Sequence, residues 1–311
     1  MNSFQEEKSN SNKSFSAEAK AELCRLPVTR GCCARAELYG VLLYGHTFSA
    51  REIRIVTGCA PFAERLPRLM RRAAALEFDA VTPEGRSGKR SLLITDHDKI
   101  RRIFEAYGYE PDTTLAHHVN LGVLEEDCCR IAFLRGAFLA GGSLIDPEKR
   151  YHLELVTDHL SVGREMYSLL LEMGFSSGSV VRDGKSVIYF KQSEAIEDLL
   201  TTMGAPLAAM GVMQAKVEKD MRNAVNRRVN CDSANADKIV SAALAQLEAI
   251  RRLDRRVGLD TLPDALQEAA LLRIANPEAS LVELAQLADP PVSKSCMSHR
   301  LHKLVSYDAR L

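Results

Sequence analysis

"LYGVLLYG", from Leu38 to Gly45, and "LRGAFLAG", from Leu134 to Gly141, are one apolar, small-residue segment written twice, 96 positions apart. The match extends outward, because each copy is preceded at the same distance by adjacent cysteines, Cys32-Cys33 and Cys128-Cys129. Inside a helix glycine costs about 1 kcal/mol relative to alanine. Gly40 and Gly136 sit mid-segment in both copies, so they predict helices whose backbones must approach closely. Gly45 and Gly141 fall near the predicted helix ends, where glycine is favoured. These four glycines are the expected packing positions of a repeat interface, built on a pseudo-two-fold axis.

The flanks repeat as well. After the second copy, "GGSLIDPEKRYHLELVT" reads as a hairpin, with Ser143 to Ile145, a turn at "DPEKR", and alternating Tyr151, Leu153 and Leu155. A helix is predicted from about His159 to Met173, on Met166, Leu169, Leu170 and Met173. A second hairpin, "GSVVRDGKSVIYFK", turns at Asp183-Gly184, and Ser193 to Met203 closes the unit as a helix. The first copy follows the same order through "TFSAREIRIVT", "APFAERLPRLMRRAAAL", "EFDAVTPEGRSGKRSLLIT" and "DHDKIRRIFEAYG". Pro67 is expected to kink or break its helix. The order is αββαββα, twice, which predicts an α+β domain over 15–206 with repeats at about 15–108 and 125–206, its two antiparallel sheets hung as a saddle from the paired helices.

From about Pro206 the strands stop. Residues 207–232 carry Lys216, Lys219, Arg222, Arg227, Arg228 and several asparagines with weak apolar periodicity, and read as a linker. A helical domain is expected over 233–311. Its first helix would run from near Ser233 to about Asp254 with Ile239, Ala243, Leu247 and Ile250 along one side. "LPDALQEAALLRIANP" reads as a helix stopping before Pro277. "SLVELAQLAD" opens with a capping box, Ser280 and Glu283. "PPV" breaks the chain, and "SKSCMSHRLHKL" starts a new helix with Ser293 as N-cap. Two short helices about a tight break are the helix-turn-helix arrangement.

Spacing separates the faces of that last helix. Met297, Leu301 and Leu304 recur at i, i+4 and i+7 and should pack inward on Leu281, Leu284 and Ala285. Ser295, Ser298, His299 and His302 fall on the outer face, flanked by Lys294, Arg300 and Lys303. Hydroxyls and cations at a helix N-terminus suit a major groove, where side chains reach base edges and cations hold phosphates. The stretch from Val292 to Leu311 holds four Lys/Arg against one acidic residue. Periodicity alone leaves two readings open: a DNA-reading helix, or a solvated basic surface.

The bulk numbers bound both. The 311 residues suggest two domains, and 46% hydrophobic with 26% charged residues is ordinary for a globular protein. A formal net charge of zero argues against indiscriminate binding to nucleic acid or acidic membranes, though not against a local basic face. No apolar run reaches the roughly 20 residues a bilayer span needs, so no membrane partner is expected. Residues 1–14, "MNSFQEEKSNSNKS", lack the apolar core of a signal peptide and read as a disordered lead-in. The expected location is therefore the cytosol, with the eight cysteines as reduced thiols.

The helix pair and the αββαββα order resemble the LAGLIDADG homing-endonuclease fold. Aligning "LYGVLLYGH" and "LRGAFLAGG" on that nonamer places Gly40 and Gly136 at its packing position. The family's metal-binding aspartate would fall on Gly45 and on Gly141, where no carboxylate stands. Two-metal phosphodiester cleavage needs carboxylates to hold divalent cations, so no enzyme, no catalytic residue and no cofactor are expected. The whole chain resembles the WhiA family, on "SFSAEAKAEL", "CCRIAFLRGAFLAGGSL", "NRRVNCDSAN" and "DPPVSKSCMSHRLHKL" in order. That family joins a degenerate LAGLIDADG-like domain to a C-terminal helix-turn-helix and regulates sporulation and cell division in Gram-positive bacteria. The resemblance implies a sequence-specific transcriptional regulator on the nucleoid. Its partner would be double-stranded promoter DNA, read by Ser293, Lys294, Ser295, Ser298, His299, Arg300, His302 and Lys303, with Arg300 and Lys303 as the main contacts. A second partner, another transcription factor or RNA polymerase, would meet the saddle. Cys296 stands where the family favours glycine, which implies an altered base preference. Three competing functions remain: an active endonuclease, a protein-interaction module, and a chromosome-associated protein without sequence preference.

Other patterns lead nowhere. "GFSSG", Gly174 to Gly178, matches G-x-S-x-G, but a nucleophile elbow needs a strand before and a helix after the serine, the reverse of what is predicted here. "GRSGKR" around Lys89 lacks the first glycine of a phosphate loop, since Pro83 stands there. His117-His118 have no matching ligand set. The cysteine pairs could supply four thiolates near the repeat axis. Zinc sites usually space ligands by two or more residues, so the pairs read instead as small buried thiols packing the helix starts, with no metal.

Overall fold

The computed structural model describes residues 14–84, 88–111, 114 and 116–308. Of the expected lead-in over 1–14, residues 1–13 lie outside the described residues, as do residues 85–87 of "GRSGKR", whereas Ser14 belongs to the first helix as its cap. The chain divides into two compact units between Asp220 and Met221.

In the first unit Ser14 caps α1 (Phe15–Arg25), its hydroxyl accepting the Ala17 N–H at 3.3 Å. The first repeat follows as α2 (Gly31–Tyr44), β1 (Thr47–Phe48), β2 (Ile53–Thr57), α3 (Ala60–Ala74), β3 (Ala80–Glu84), β4 (Lys89–Ile94) and α4 (His97–Ala106). The second is α5 (Asp127–Gly141), β5 (Gly142–Leu144), β6 (Leu153–Thr157), α6 (Leu160–Glu172), β7 (Gly178–Arg182), β8 (Lys185–Phe190) and α7 (Ser193–Met203). Each repeat builds one antiparallel sheet of the same order, β1-β2-β4-β3 and β5-β6-β8-β7. The Asp183-Gly184 turn between β7 and β8 has φ of 52° and 76°, the geometry of a type I′ hairpin.

Pro67 does not break its helix. α3 runs unbroken through it, because Phe62, Ala63, Leu66, Leu69 and Met70 bury one continuous face. That burial outweighs the one backbone hydrogen bond proline removes. The core of the unit lies where α2 and α5 cross beneath the two sheets, lined by Leu38, Tyr39, Leu42, Phe133, Leu134 and Phe138.

The stretch 207–232, expected as a linker, contains the boundary between the two units and is helical. It belongs to one helix, α8 (Pro206–Val257), which starts well before the expected Ser233. Its apolar periodicity is weak because most of that stretch faces solvent, with Val217, Met221, Val225 and Val229 all exposed. Ala, Lys, Glu, Gln and Met sustain the helix on propensity instead. Ile239 is likewise exposed, whereas Ala243, Leu247 and Ile250 are buried as expected. After α8 come α9 (Asp264–Ala275), α10 (Leu281–Gln286) and α11 (Lys294–Asp308), closing around a second core of Ile250, Leu253, Leu266, Leu284, Met297, Leu301 and Leu304. Among the described residues no helix is long and apolar enough to cross a membrane.

Candidate nucleic-acid interface

Two caps set the geometry of the last two helices. The Ser280 hydroxyl accepts the Glu283 N–H at 3.3 Å, and the Glu283 carboxylate accepts the Ser280 N–H at 2.7 Å. That reciprocal box starts α10 and holds the Glu283 carboxyl below its usual range. Ser293 then accepts the Cys296 N–H at 3.2 Å and starts α11. Met297, Leu301 and Leu304 are fully buried against Leu284 and Ala285, while Leu281 is only partly covered. This fixes the roll of α11. Ser293, Lys294, Ser295, Ser298, His299, His302 and Lys303 are exposed.

Arg300, expected as a main contact, is half-buried and not fully exposed like its neighbours. Its Nη1 lies 2.8 Å from Glu268 Oε2 on α9, with the two side chains 19% and 29% exposed. The other Glu268 oxygen accepts the Asp289 N–H at 2.7 Å. Arg300 thus links α11 to α9 through Glu268, which also holds the turn between the short helices. The signal was in the sequence: position 300 is three after Met297 and one before Leu301, at the edge of the buried face. Arg252 and Asp308, unmarked by any motif, pair at 2.8 Å and tie α8 to the end of α11.

In the first unit the glycines do what close approach demands. A Cβ on Gly136 would stand 2.0 Å from the Glu37 carbonyl oxygen, and one on Gly40 2.1 Å from that of Phe133. The C-terminal ends of α2 and α5 also meet, since a Cβ on Gly141 would stand 3.0 Å from the Tyr44 carbonyl oxygen. At Gly45 the backbone is extended, φ −75°, so glycine is required there by contact with the Val41 carbonyl and not by a left-handed cap. Beside Gly45 opens a cleft of about 450 Å³, lined by His46, Lys89, Thr157, Asp158 and Lys185. Lys89 and Lys185 open the equivalent strands β4 and β8, 96 positions apart. The one carboxylate of this lining, Asp158, is paired with Lys185 at 2.8 Å.

Sequence patterns gave no warning of the buried ion network beside the helix crossing. Glu37, 2% exposed, takes Arg65 in a two-pronged contact at 2.6 and 2.9 Å and Arg135 at 3.3 Å. Arg65 also donates to the Cys24 and Leu26 carbonyls at 3.2 and 2.5 Å. One carboxylate thus serves two guanidiniums; Arg135, 15% exposed, also donates to the Met203 carbonyl at 2.8 Å, and this pairing and hydrogen bonding make the burial tolerable.

The cysteine pairs depart from the expected buried thiols. Cys32 is exposed, Cys33 and Cys128 are half-buried, and only Cys129 is buried. All four sulfurs lie within 4.8 Å of one another. Adjacency along the chain is no obstacle to this, because α2 and α5 bring their N-terminal turns together. Burial pushes the Cys33 thiol up to about 11 and that of Cys129 up to about 12. Cys128 moves down, through hydrogen bonds from Cys33 and from Arg30. His117 packs on Phe48 and His159 at ring distances of 4.6 and 4.5 Å, and its Nε2 lies 2.8 Å from the Phe48 carbonyl oxygen, so its role is structural. In "GFSSG" a helix precedes and a strand follows, which is no nucleophile elbow.

Comparison with known proteins agrees with this architecture. A family model described as the WhiA LAGLIDADG-like domain matches residues 130–222, and one described as the WhiA C-terminal HTH domain matches 225–307. A "Probable cell division protein WhiA" of Ruminiclostridium cellulolyticum is 37% identical over 299 residues, covering 94% of this chain and 96% of that protein. The protein of the same description from Heliobacterium modesticaldum is 38% identical over 317 residues, covering 94% and 95%. The crystal structure of full-length DUF199/WhiA from Thermatoga maritima superposes with a TM-score of 0.58 at 23% identity, over 96% of this chain and 99% of that one. With the duplicated unit, the terminal helices and near-full-length relatives all in agreement, this chain is a member of the WhiA family.

Proposed function

We propose that this protein is a sequence-specific DNA-binding regulator acting in cell division, and that it does not cleave DNA. The observation that carries the reading is the free outer face of α11. Lys294, Ser295, Ser298, His299, His302 and Lys303 are all exposed on a helix whose roll is fixed by a buried inner face. Ser293 contributes as the cap that sets the helix start. Lys294 and Lys303 are the phosphate contacts, and the hydroxyls and imidazoles between them face base edges. Arg300 acts by positioning the helix.

The helix ends of the first unit favour binding over hydrolysis. Where two divalent ions would need several carboxylates, the cleft offers two lysines and one acid already paired. The duplicated unit then serves as a surface for DNA or for a partner such as a transcription factor or RNA polymerase. The site of action is the nucleoid.

Titration of a bound promoter fragment by fluorescence anisotropy at several salt concentrations tests the reading. Lys294→Ala and Lys303→Ala should each weaken binding uniformly across sequences and lower the salt slope by about 1. His299→Ala should reduce the preference for target over random DNA. Unchanged affinity in both lysine variants refutes the assignment of α11. Nicking of supercoiled plasmid with magnesium, lost on substituting Asp158, refutes the absence of cleavage.

A further inference from the structure

We infer that Cys32, Cys33, Cys128 and Cys129 form a tetrathiolate site for one zinc ion that joins the N-terminal turns of α2 and α5. The four sulfurs lie within 4.8 Å of one another, with Cys32 and Cys33 at 4.0 Å. A tetrahedron with metal–sulfur bonds of about 2.3 Å has edges of about 3.8 Å. Closing the cluster on a metal therefore needs shifts of about 1 Å or less, within reach of side-chain torsions. Each repeat gives two ligands, so the ion would sit between the repeats, opposite the helix ends that meet at Gly141 and Tyr44.

Neighbouring cysteines on one helix point about 100° apart, and one pair alone could not surround an ion. Two pairs facing each other can, which removes the spacing objection. The surroundings favour negative sulfur. Neither α2 nor α5 has a side chain capping its first turn, so backbone N–H groups and the positive ends of both helices face this region. The Arg30 guanidinium stands 3.7 Å from Cys128 Sγ and offsets part of the charge that four thiolates leave on a divalent ion. Exposure falls from Cys32 to Cys129, which gives the ion an entry path and an inner anchor. Binding converts four thiols to thiolates and releases their protons, with no oxidant or reductant involved. Zinc, with no redox chemistry and a tetrahedral preference, fits this donor set.

Metal analysis of the full-length protein, purified under reducing conditions without chelator, should find one zinc per chain. After stripping, cobalt(II) should saturate at one equivalent, with thiolate-to-cobalt charge transfer and the visible bands of tetrahedral cobalt. Zinc should then bleach both. Cys32→Ser, an exposed position, should weaken metal retention at least tenfold and leave the circular dichroism intact. Cys231→Ser and Cys296→Ser should retain a full equivalent. Stripping should lower the melting temperature of the first unit by several degrees. Folded protein with no stoichiometric metal and no cobalt spectrum overturns the site. So does protein purified metal-free in which, after denaturation without reductant, only six of the eight thiols titrate and the missing pair maps to the cluster as a disulfide.

Discussion

Gly136 shows how narrow the margin is at the residue scale. Its missing side chain leaves 2.0 Å between a would-be Cβ and the Glu37 backbone oxygen. No rotamer change relieves a clash with backbone, so α2 and α5 would have to move apart and loosen every contact along their crossing. Gly136→Ala should cost at the upper end of the roughly 1–3 kcal/mol usual for overpacking, read as a lower urea midpoint at unchanged slope. Gly31 is the internal control. It starts α2 with no atom within 4 Å of a Cβ, so Gly31→Ala should be neutral or stabilise by up to about 1 kcal/mol. The repetition of "LYGVLLYG" made this contact legible, because a costly residue kept twice at equivalent positions implies a shared reason. Glu37, Arg65 and Arg135 were not legible. Their pairing joins three helices, and no local spacing encodes which charged residue will meet which across a fold.

At the scale of the element, α11 separates two kinds of cation that sequence treated alike. Lys303 extends into solvent, while Arg300 is engaged with Glu268 on α9. Periodicity located the buried stripe of Met297, Leu301 and Leu304 correctly, yet it could not say what would stand opposite the edge of that stripe. Arg300→Ala should therefore act through the domain. Loss of a partly screened ion pair should cost about 1 kcal/mol, seen as a lower melting temperature of the helical unit. DNA affinity measured well below that temperature should fall by less than about threefold, with the salt slope unchanged. A drop in slope of about one would instead make Arg300 a phosphate contact. α8 carries the complementary lesson. An exposed helix needs no apolar stripe, so 207–232 gave a weak pattern while still being helical. Periodicity marked the segment between the units but could not show that it is itself helical.

On the scale of the whole duplicated unit, the two repeats are also joined through imidazoles. His117, from the segment after the first repeat, stacks edge-on against His159 at the start of α6 in the second, with centroids 4.5 Å apart. Burial holds His159 down at about 4, with His117 adding to the effect and Asp158 opposing it, and burial also lowers His117. The sign follows from linkage. In the unfolded chain these groups titrate near 6.5, so between 6.5 and about 4 the unfolded state binds more protons than the folded one. Stability should be fully present above pH 6.5 and be lost as the pH falls through that window. With partial solvent screening the loss from His159 is on the order of 2 kcal/mol. Carboxylates held low by their partners, such as Glu154 beside His152 and Arg182, act only at lower pH. The upper half of the window therefore belongs to histidine. In metal-stripped protein, denaturant midpoints of the first unit should decline from pH 7 to 5, and His159→Gln should flatten that decline. A decline of the same steepness in the variant would place the proton uptake elsewhere. It would also mean that the contact between repeats rests on the glycine-paired helices and not on the imidazole pair.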